Sequence, residues 1–157
     1  DLFERMGGHP MAAGFVMDHI RLEELYNRLT AAAYDQFAGS KPVPSLWVDC
    51  EVIPSDLMGD SLHFIDRLEP FGSGNPAPTF LAKNILVQET RRVGNRGQHL
   101  MLKIHDGHSQ WSAIAFNQGQ ELVSERIDLV YNITKQIWQG RQVLRIRILD
   151  FHPSLSN

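Results

Sequence analysis

Two groups of residues in this 157-residue chain have types and spacing that suit phosphate and nucleic-acid chemistry. The first is Gly7-Gly8-His9-Pro10-Met11-Ala12-Ala13-Gly14-Phe15. Adjacent glycines permit positive φ and leave their N–H groups unshielded. Pro10 has the fixed φ that suits a first helical position, Met11 to Ala13 continue for a turn or two, and Gly14 supplies a stop. The pattern predicts a glycine turn feeding a short helix. Its free N–H groups and positive dipole end would face an anion over Gly8 and His9, most often a phosphate. A tight turn with close packing at Ala12 and Ala13 is the other reading of the same residues.

The second group is basic and aromatic: Arg91, Arg92, Arg96, Lys103, Lys135, Arg141 and Arg145, with Trp111 and Trp138. Single-strand binders need positive charge along the backbone and flat aromatic faces, each base stack contributing ~1–3 kcal/mol. Trp138, beside a turn, is the first stacking candidate and Trp111 the second. Outward Lys and Arg on strands are equally ordinary solvation, and either tryptophan can plug an apolar end. Alternation puts Arg145 and Arg147 on one face, either edge or groove.

Metal and redox chemistry find little support. One cysteine excludes an internal disulfide framework, fits a reducing cytoplasm, and with scattered histidines makes no zinc site. His63, His99, His105, His108 and His152 show no paired ligand spacing; His105 and His108 flank a glycine turn with Asp106, where a stray metal would be drawn. No metal or cofactor is expected in this chain.

No run of ~18 apolar residues is present to span a bilayer, nor a charged-then-apolar leader. The opening Asp1-Leu2-Phe3 leads to the expectation that the chain starts inside a longer protein. Net charge is −3, unevenly spread. Residues 1–78 hold five Lys/Arg against twelve Asp/Glu, and residues 79–157 hold ten against six. A basic second half suggests that it meets a polyanion.

The elements that position these groups follow from periodicity. Phe15-Val16-Met17 reads as a short strand and Asp18 as a helix cap. Leu22, Leu25, Tyr26, Leu29, Ala33 and Phe37 then mark an amphipathic helix of about five turns, suited to covering a sheet that includes 15–17. Residues 39–44, with Gly39, Pro42 and Pro44, read as a linker. Leu46, Val48, Cys50 and Val52 alternate with Trp47, Asp49, Glu51 and Ile53, predicting one half-buried strand with Cys50 on its apolar side. A turn capped by Ser55 or Asp56 and a short helix over 61–68 come next. Residues 68–80, with three prolines and two glycines, forbid regular structure. They are a plain connection or, through Gly72 and Gly74, a place to present N–H groups to an anion.

From Thr79 the pattern is strands: 79–92, a glycine turn at 94–97, 98–105 with Leu100, Leu102 and Ile104 inward, a turn at Asp106-Gly107, and 110–116 with Ile114 and Phe116 inward. A short helix carrying Leu122 and Val123 follows over 119–126. Strands 128–138 and 141–151 flank a turn at Gln139-Gly140. Three strands, a helix and two strands is the order of an OB fold, a five-stranded Greek-key barrel whose strand 2–3 face and first and last hairpin loops bind oligonucleotides. Arg91, Arg92 and Arg96 fall at the first loop; Trp138 and Arg141, flanked by Lys135 and Arg145, fall at the last.

The string from Gly7 to Phe15 resembles the GGHxxAAGF signature of the DHH-family phosphoesterases, in the domain after the catalytic one. The resemblance implies that Gly7, Gly8 and His9 clamp substrate phosphate across a cleft from a two-metal centre. Pro70-Phe71-Gly72-Ser73-Gly74-Asn75-Pro76-Ala77-Pro78-Thr79-Phe80 resembles the PFGxGNPxPxF segment of the RecJ-like exonucleases within that family, which joins the DHH-associated domain to the nucleic-acid-binding barrel. Such enzymes degrade single-stranded DNA from the 5′ end with a metal-activated water, in repair and recombination. Their Asp-His-His triplet is not here: Asp18-His19 is followed by Ile20.

The expectation is an α+β chain. Residues 1–39 form the end of the DHH-associated α/β domain, 40–45 a linker, and 46–157 an OB barrel with an added N-terminal strand and helix. By resemblance it is a C-terminal part of a single-stranded-DNA exonuclease that binds without cutting, with Mn or Mg held in the absent catalytic domain. It is expected to be a cytoplasmic monomer with no membrane role and single-stranded DNA as partner, single-strand-binding protein being a further candidate. The alternatives are a protein-docking barrel of the same nuclease, or part of a DHH-family phosphodiesterase of short oligonucleotides.

Overall fold

The computed structural model describes residues 2–37, 40, 43–138 and 140–155; the side chains of residues 136–138, 141 and 142 lie outside that description. The chain divides into two compact units, residues 1–45 and 46–157. Gly39, Lys41 and Pro42 of the expected linker fall outside the described residues.

The first unit opens with a hairpin. β1 (Arg5–His9) and β2 (Ala12–Val16) pair antiparallel, with Gly7 opposite Gly14, Gly8 opposite Ala13 and His9 opposite Ala12. The helix expected over 10–13 is therefore absent, and Pro10 and Met11 form the turn instead. Neither Gly7 nor Gly8 has positive φ. Gly8 is needed for space, since a Cβ there would lie 2.6 Å from the Ala12 carbonyl oxygen and 2.9 Å from Ala13 Cα.

Asp18 caps as its position foretold, its Oδ1 accepting the Ile20 N–H at 3.0 Å ahead of a 3-10 turn at His19–Arg21. The helix α1 (Leu22–Gln36) follows. Leu25 and Leu29 turn toward the hairpin and, with Phe3, Met6 and Phe15, line an apolar hollow of about 370 Å³.

In the second unit, β3 contains only Cys50–Glu51 and pairs parallel with the residues at Phe80 and Leu81. The long strand expected over 46–53 shrinks to this bridge. Leu46, Trp47 and Val48 are exposed, and so is Cys50, contrary to its expected burial. A 3-10 turn (Pro54–Leu57) and α2 (Asp60–Asp66) then appear near their expected places. The proline-rich stretch folds on itself: Gly72 and Asn75 exchange backbone hydrogen bonds of 2.8 and 3.1 Å, and Asn75 Nδ2 donates to the Leu68 carbonyl at 2.7 Å. The Gly72 N–H is thus engaged internally rather than offered to an anion.

The remainder is a closed barrel. β4 (Phe80–Val93), β5 (His99–His105), β6 (Gln110–Ala115), β7 (Arg126–Trp138) and β8 (Arg141–Pro153) run in the order β4-β5-β6-β8-β7, and β7 returns to β4. The β6–β8 seam is parallel and the other barrel seams are antiparallel. This is the Greek-key OB arrangement.

Alternate residues fill the interior: Leu100, Leu102 and Ile104 from β5, Ile127, Leu129 and Tyr131 from β7, Ile146 and Ile148 from β8. The Tyr131 hydroxyl donates to the Val52 carbonyl at 2.9 Å, and burial pushes its ionisation far above the ordinary range.

Two expectations about the barrel fail. Residues 116–125 form turns and irregular chain, so the helix expected over 119–126 is absent and Leu122 is 88% exposed. The phase of β6 is also reversed. Leu100 faces Ala115, Leu102 faces Ala113 and Ile104 faces Trp111, so those three point inward while Ile114 belongs to the outer phase, where it is nonetheless buried, with exposed Phe116 just beyond it.

Candidate nucleic-acid interface

Register across the barrel sets side chains of different strands side by side. Arg91 on β4 pairs with Met101 on β5, Met101 with Ile114 on β6, Ile114 with Arg147 on β8, and Arg147 with Asn132 on β7. All belong to the outer face, opposite in alternation to the core residues. The row has a cation near each side, with half-buried Met101 and buried Ile114 beneath and between them. A neighbouring row runs Glu89, Lys103, Ser112. The two rows share a hollow of about 260 Å³ lined by Glu89, Arg91, Met101, Lys103 and Ser112.

The arginine cluster read from sequence is split by the strand pleat. Arg91 and Lys103 share the outer face, and Arg91 Nη2 contacts Met101 Sδ at 3.7 Å. Arg92 pairs with Leu100 and so belongs to the inward phase, yet it sits at the open end of the strand and stays exposed. Arg96 is exposed in the first hairpin loop, where Gly94 (φ 92°) and Gly97 (φ 64°) adopt left-handed backbone. Gln98 folds back to accept the Arg96 N–H at 3.0 Å, which fixes the loop from inside.

Lys103 bonds to Glu89, and that hydrogen bond together with the lysine charge lowers the Glu89 carboxyl below its ordinary range. Lys135 pairs with Asp66 of α2, which makes it a tie between helix and barrel. Arg145 is half-buried, and its Nε is buried without a hydrogen-bond partner among the described residues. Trp138 and Arg141 face each other across the last hairpin by backbone register, and their side chains lie outside the described residues.

Trp111 does not fit the stacking role expected of it. It is half-buried against the core, and its indole N–H donates to Asp106 Oδ2 at 2.8 Å. Asp106 is itself buried, and its Oδ2 also accepts the Ser55 N–H at 2.8 Å. Its Oδ1 accepts the His108 and Ser109 N–H groups at 3.0 and 2.8 Å. Burial works to raise this acid, but the hydrogen bonds from Ser109, Ser55 and His108 outweigh it and hold the carboxyl at about 2. The cluster at 105–108 is therefore a structural knot. Among the described residues no group of three or more His, Cys, Asp or Glu side chains is placed to hold a metal ion.

Residues 48–150 match the family model of the RecJ OB domain. The chain belongs to that family. Over 154 residues it is 29% identical to the single-stranded-DNA-specific exonuclease RecJ of Bacillus subtilis, an alignment covering 96% of this chain and 20% of the relative. It is 28% identical to RecJ of Thermus thermophilus over 152 residues, again covering 96% of this chain and 21% of the relative. The crystal structure of Thermus thermophilus RecJ with Mn2+ superposes with a TM-score of 0.69 at 27% identity, covering 99% of this chain and 22% of that one. The Mg2+ complex gives 0.68. The chain thus spans about a fifth of the length of these two curated relatives.

The RecJ barrel frame shows what strand reading overlooked. Phe116, Met101, Ile114 and Arg147 form much of the outer face, with His99 meeting the Phe116 ring at 5.1 Å. Parity held the signal: with Leu100, Leu102 and Ile104 inward, any even-length loop after His105 puts 111, 113 and 115 inward too. In the first unit, Gly7 offers bare backbone, no atom lying within 4 Å of where a Cβ would stand, and His9 is exposed at the hairpin end.

Proposed function

We propose that this chain guides single-stranded DNA within a RecJ-type exonuclease. The observation that carries the reading is the outer-face row from Arg91 through Met101 and Ile114 to Arg147. Cations that track a phosphate backbone beside apolar side chains suit an unpaired strand, which offers both phosphates and exposed base faces. Arg96 in the first hairpin loop, with Arg92 and Lys103 nearby, extends the positive rim. The last hairpin, whose strands carry Trp138, Arg141 and Arg145 in sequence, is assigned to the same role.

Gly7, Gly8 and His9 supply a separate phosphate contact. The support is the side-chain-free strand surface at Gly7 and the exposed imidazole of His9, in place of a helix terminus.

The whole protein is then a hydrolase of DNA phosphodiester bonds acting from the 5′ end in repair and recombination. Its catalytic centre, bearing Mn or Mg, lies outside this chain. We place it in the cytoplasm as a monomer, with single-strand-binding protein as a candidate partner.

The test is a fluorescence titration of labelled oligodeoxythymidylate at low and moderate salt into wild type and an Arg91→Ala/Arg96→Ala variant. Salt-sensitive binding weakened by the substitutions supports a DNA-guiding face. Folded wild type that binds nothing at low salt overturns it and turns attention to the protein-docking reading.

A further inference from the structure

Phe116 is a large aromatic side chain on the outer face that is 44% exposed, and it is not loose. The His99 ring packs on it nearly perpendicular, with centroids 5.1 Å apart and 75° between the planes. The next residue, Asn117, turns the chain at φ 60° and donates its N–H to His99 Nδ1 at 3.0 Å. Gln118 Nε2 donates to the Leu149 carbonyl at 2.8 Å. The Gly119 N–H donates to the Gln98 carbonyl at 3.0 Å, and a Cβ on Gly119 would lie 2.0 Å from the Gly97 carbonyl oxygen. Segment 116–119 is therefore stapled to the 97–99 segment and to β8. On the same face the Arg147 guanidinium lies over the Phe116 ring, 5.7 Å from its centroid.

An exposed ring on mobile chain has to lose conformational freedom before it can stack on anything. Here that ordering is already built in. Leu122, more exposed still, has no comparable set of anchors among the contacts just described, and it has no π-face.

We propose that Phe116 is a base-stacking station on this face, with Arg147 beside it taking the adjoining phosphate. The inference rests on the single-strand-guiding function proposed above and adds where a base is held. Every base has a π-face, so such a station tolerates sequence. His99 is a positioning residue: through its near-perpendicular ring contact and its Nδ1 it fixes where the Phe116 ring stands. The cation beside the ring matches the phosphate that follows a stacked base along the strand.

The experiment compares wild type with Phe116→Ala, Phe116→Leu and Phe116→Tyr. Each is titrated at fixed low salt with labelled oligodeoxythymidylate and with an abasic oligonucleotide of equal length. Loss of the ring in the Ala and Leu variants weakens thymidylate binding by about tenfold or more, the size of one base stack. The Tyr variant stays within about twofold of wild type, because it keeps a π-face. Abasic affinity stays unchanged in all four proteins, and so does the slope of affinity against salt, because no phosphate contact is removed.

Folded Ala or Leu variants that keep full thymidylate affinity overturn the proposal. Equal loss on the abasic strand overturns it as well, since the ring then only shapes the fold. Wild type that binds neither strand overturns the underlying function and the station together, which separates the two failures.

Discussion

The Trp111 indole N–H and Asp106 Oδ2 are joined by a 2.8 Å hydrogen bond that ties β6 to the turn preceding it. Through the same oxygen Asp106 also holds Ser55, fifty-one residues earlier, so one carboxylate fastens the chain entering the barrel to the hairpin inside it. Asp106→Asn exchanges a charged acceptor for a neutral amide that cannot serve all four donors. Unfolding by urea should show a loss of about 2–3 kcal/mol, the scale of hydrogen bonds to a charged group. An unchanged midpoint would refute this role.

Acid should release the same knot. The Asp106 carboxyl titrates at about 2 in the folded protein, below its ordinary 3.8. The unfolded chain therefore takes up the proton first as pH falls. The stability that this group contributes is complete above its ordinary value and declines from about pH 4 to about pH 2. Melting curves across that window should show a shallower decline for Asp106→Asn than for wild type.

Gly8→Ala should disturb the first hairpin, since the new methyl carbon meets backbone of the facing strand at 2.6 Å. Overpacking of this kind costs about 1–3 kcal/mol. Gly7→Ala finds open space and serves as the control for the loss of glycine itself. Amide chemical shifts of residues 5–16 should move with the first substitution and stay nearly still with the second.

Gly119→Ala is the corresponding change on the barrel. Its methyl carbon would fall 2.0 Å from the Gly97 carbonyl oxygen and 2.7 Å from the Gln98 carbonyl carbon, both backbone, so the first hairpin loop has to move. A fall in melting temperature together with weaker oligonucleotide binding is expected, because Arg96 stands on that loop. Binding retained at full strength would show that the loop position does not matter to the ligand.

Arg91→Ala/Arg147→Ala should flatten the dependence of log affinity on log salt by about 1.4, the effect of losing two phosphate contacts on a single strand. Titrations at several salt concentrations measure this directly, and an unaltered slope would remove both arginines from the phosphate path.

Much of the barrel was legible in sequence because its strands alternate strictly. Leu100, Leu102, Ile104, Ile146 and Ile148 all point where period two puts them. Reading failed where residue size competed with parity: bulky Ile114 and Phe116 looked like barrel lining, while Ala113 and Ala115 take that place, Ile114 being buried from the other side of the strand and Phe116 exposed. A barrel of small bore takes small residues on one strand opposite large ones on the next.

Gly7 looked like a turn residue and Gly14 like a helix stop, and they are strand partners; of the three hairpin glycines it is Gly8, pressed against Ala12 and Ala13, that close approach of the strands requires. Leu122 and Val123 suggested a helix face, but the chain there is held by contacts of Gln118 and Gly119 with distant strands, which period alone does not reveal. The interface needed register across several strands, and so Met101 and Arg147 came to flank Ile114 only once β6 had paired with both β5 and β8.

That closure has a consequence during synthesis. β4 pairs with β7, bringing Phe80 to Tyr131, and β6 waits for β8, the last barrel strand in chain order. Long-range pairings of this kind form late, after the loops between them have closed. A nascent chain still lacking β8 carries Arg91 and Met101 but no Arg147 beside Ile114. The outer row from Arg91 to Arg147 is therefore completed only after the final strand has left the ribosome, and a half-made chain does not yet carry the groove proposed above for a single strand.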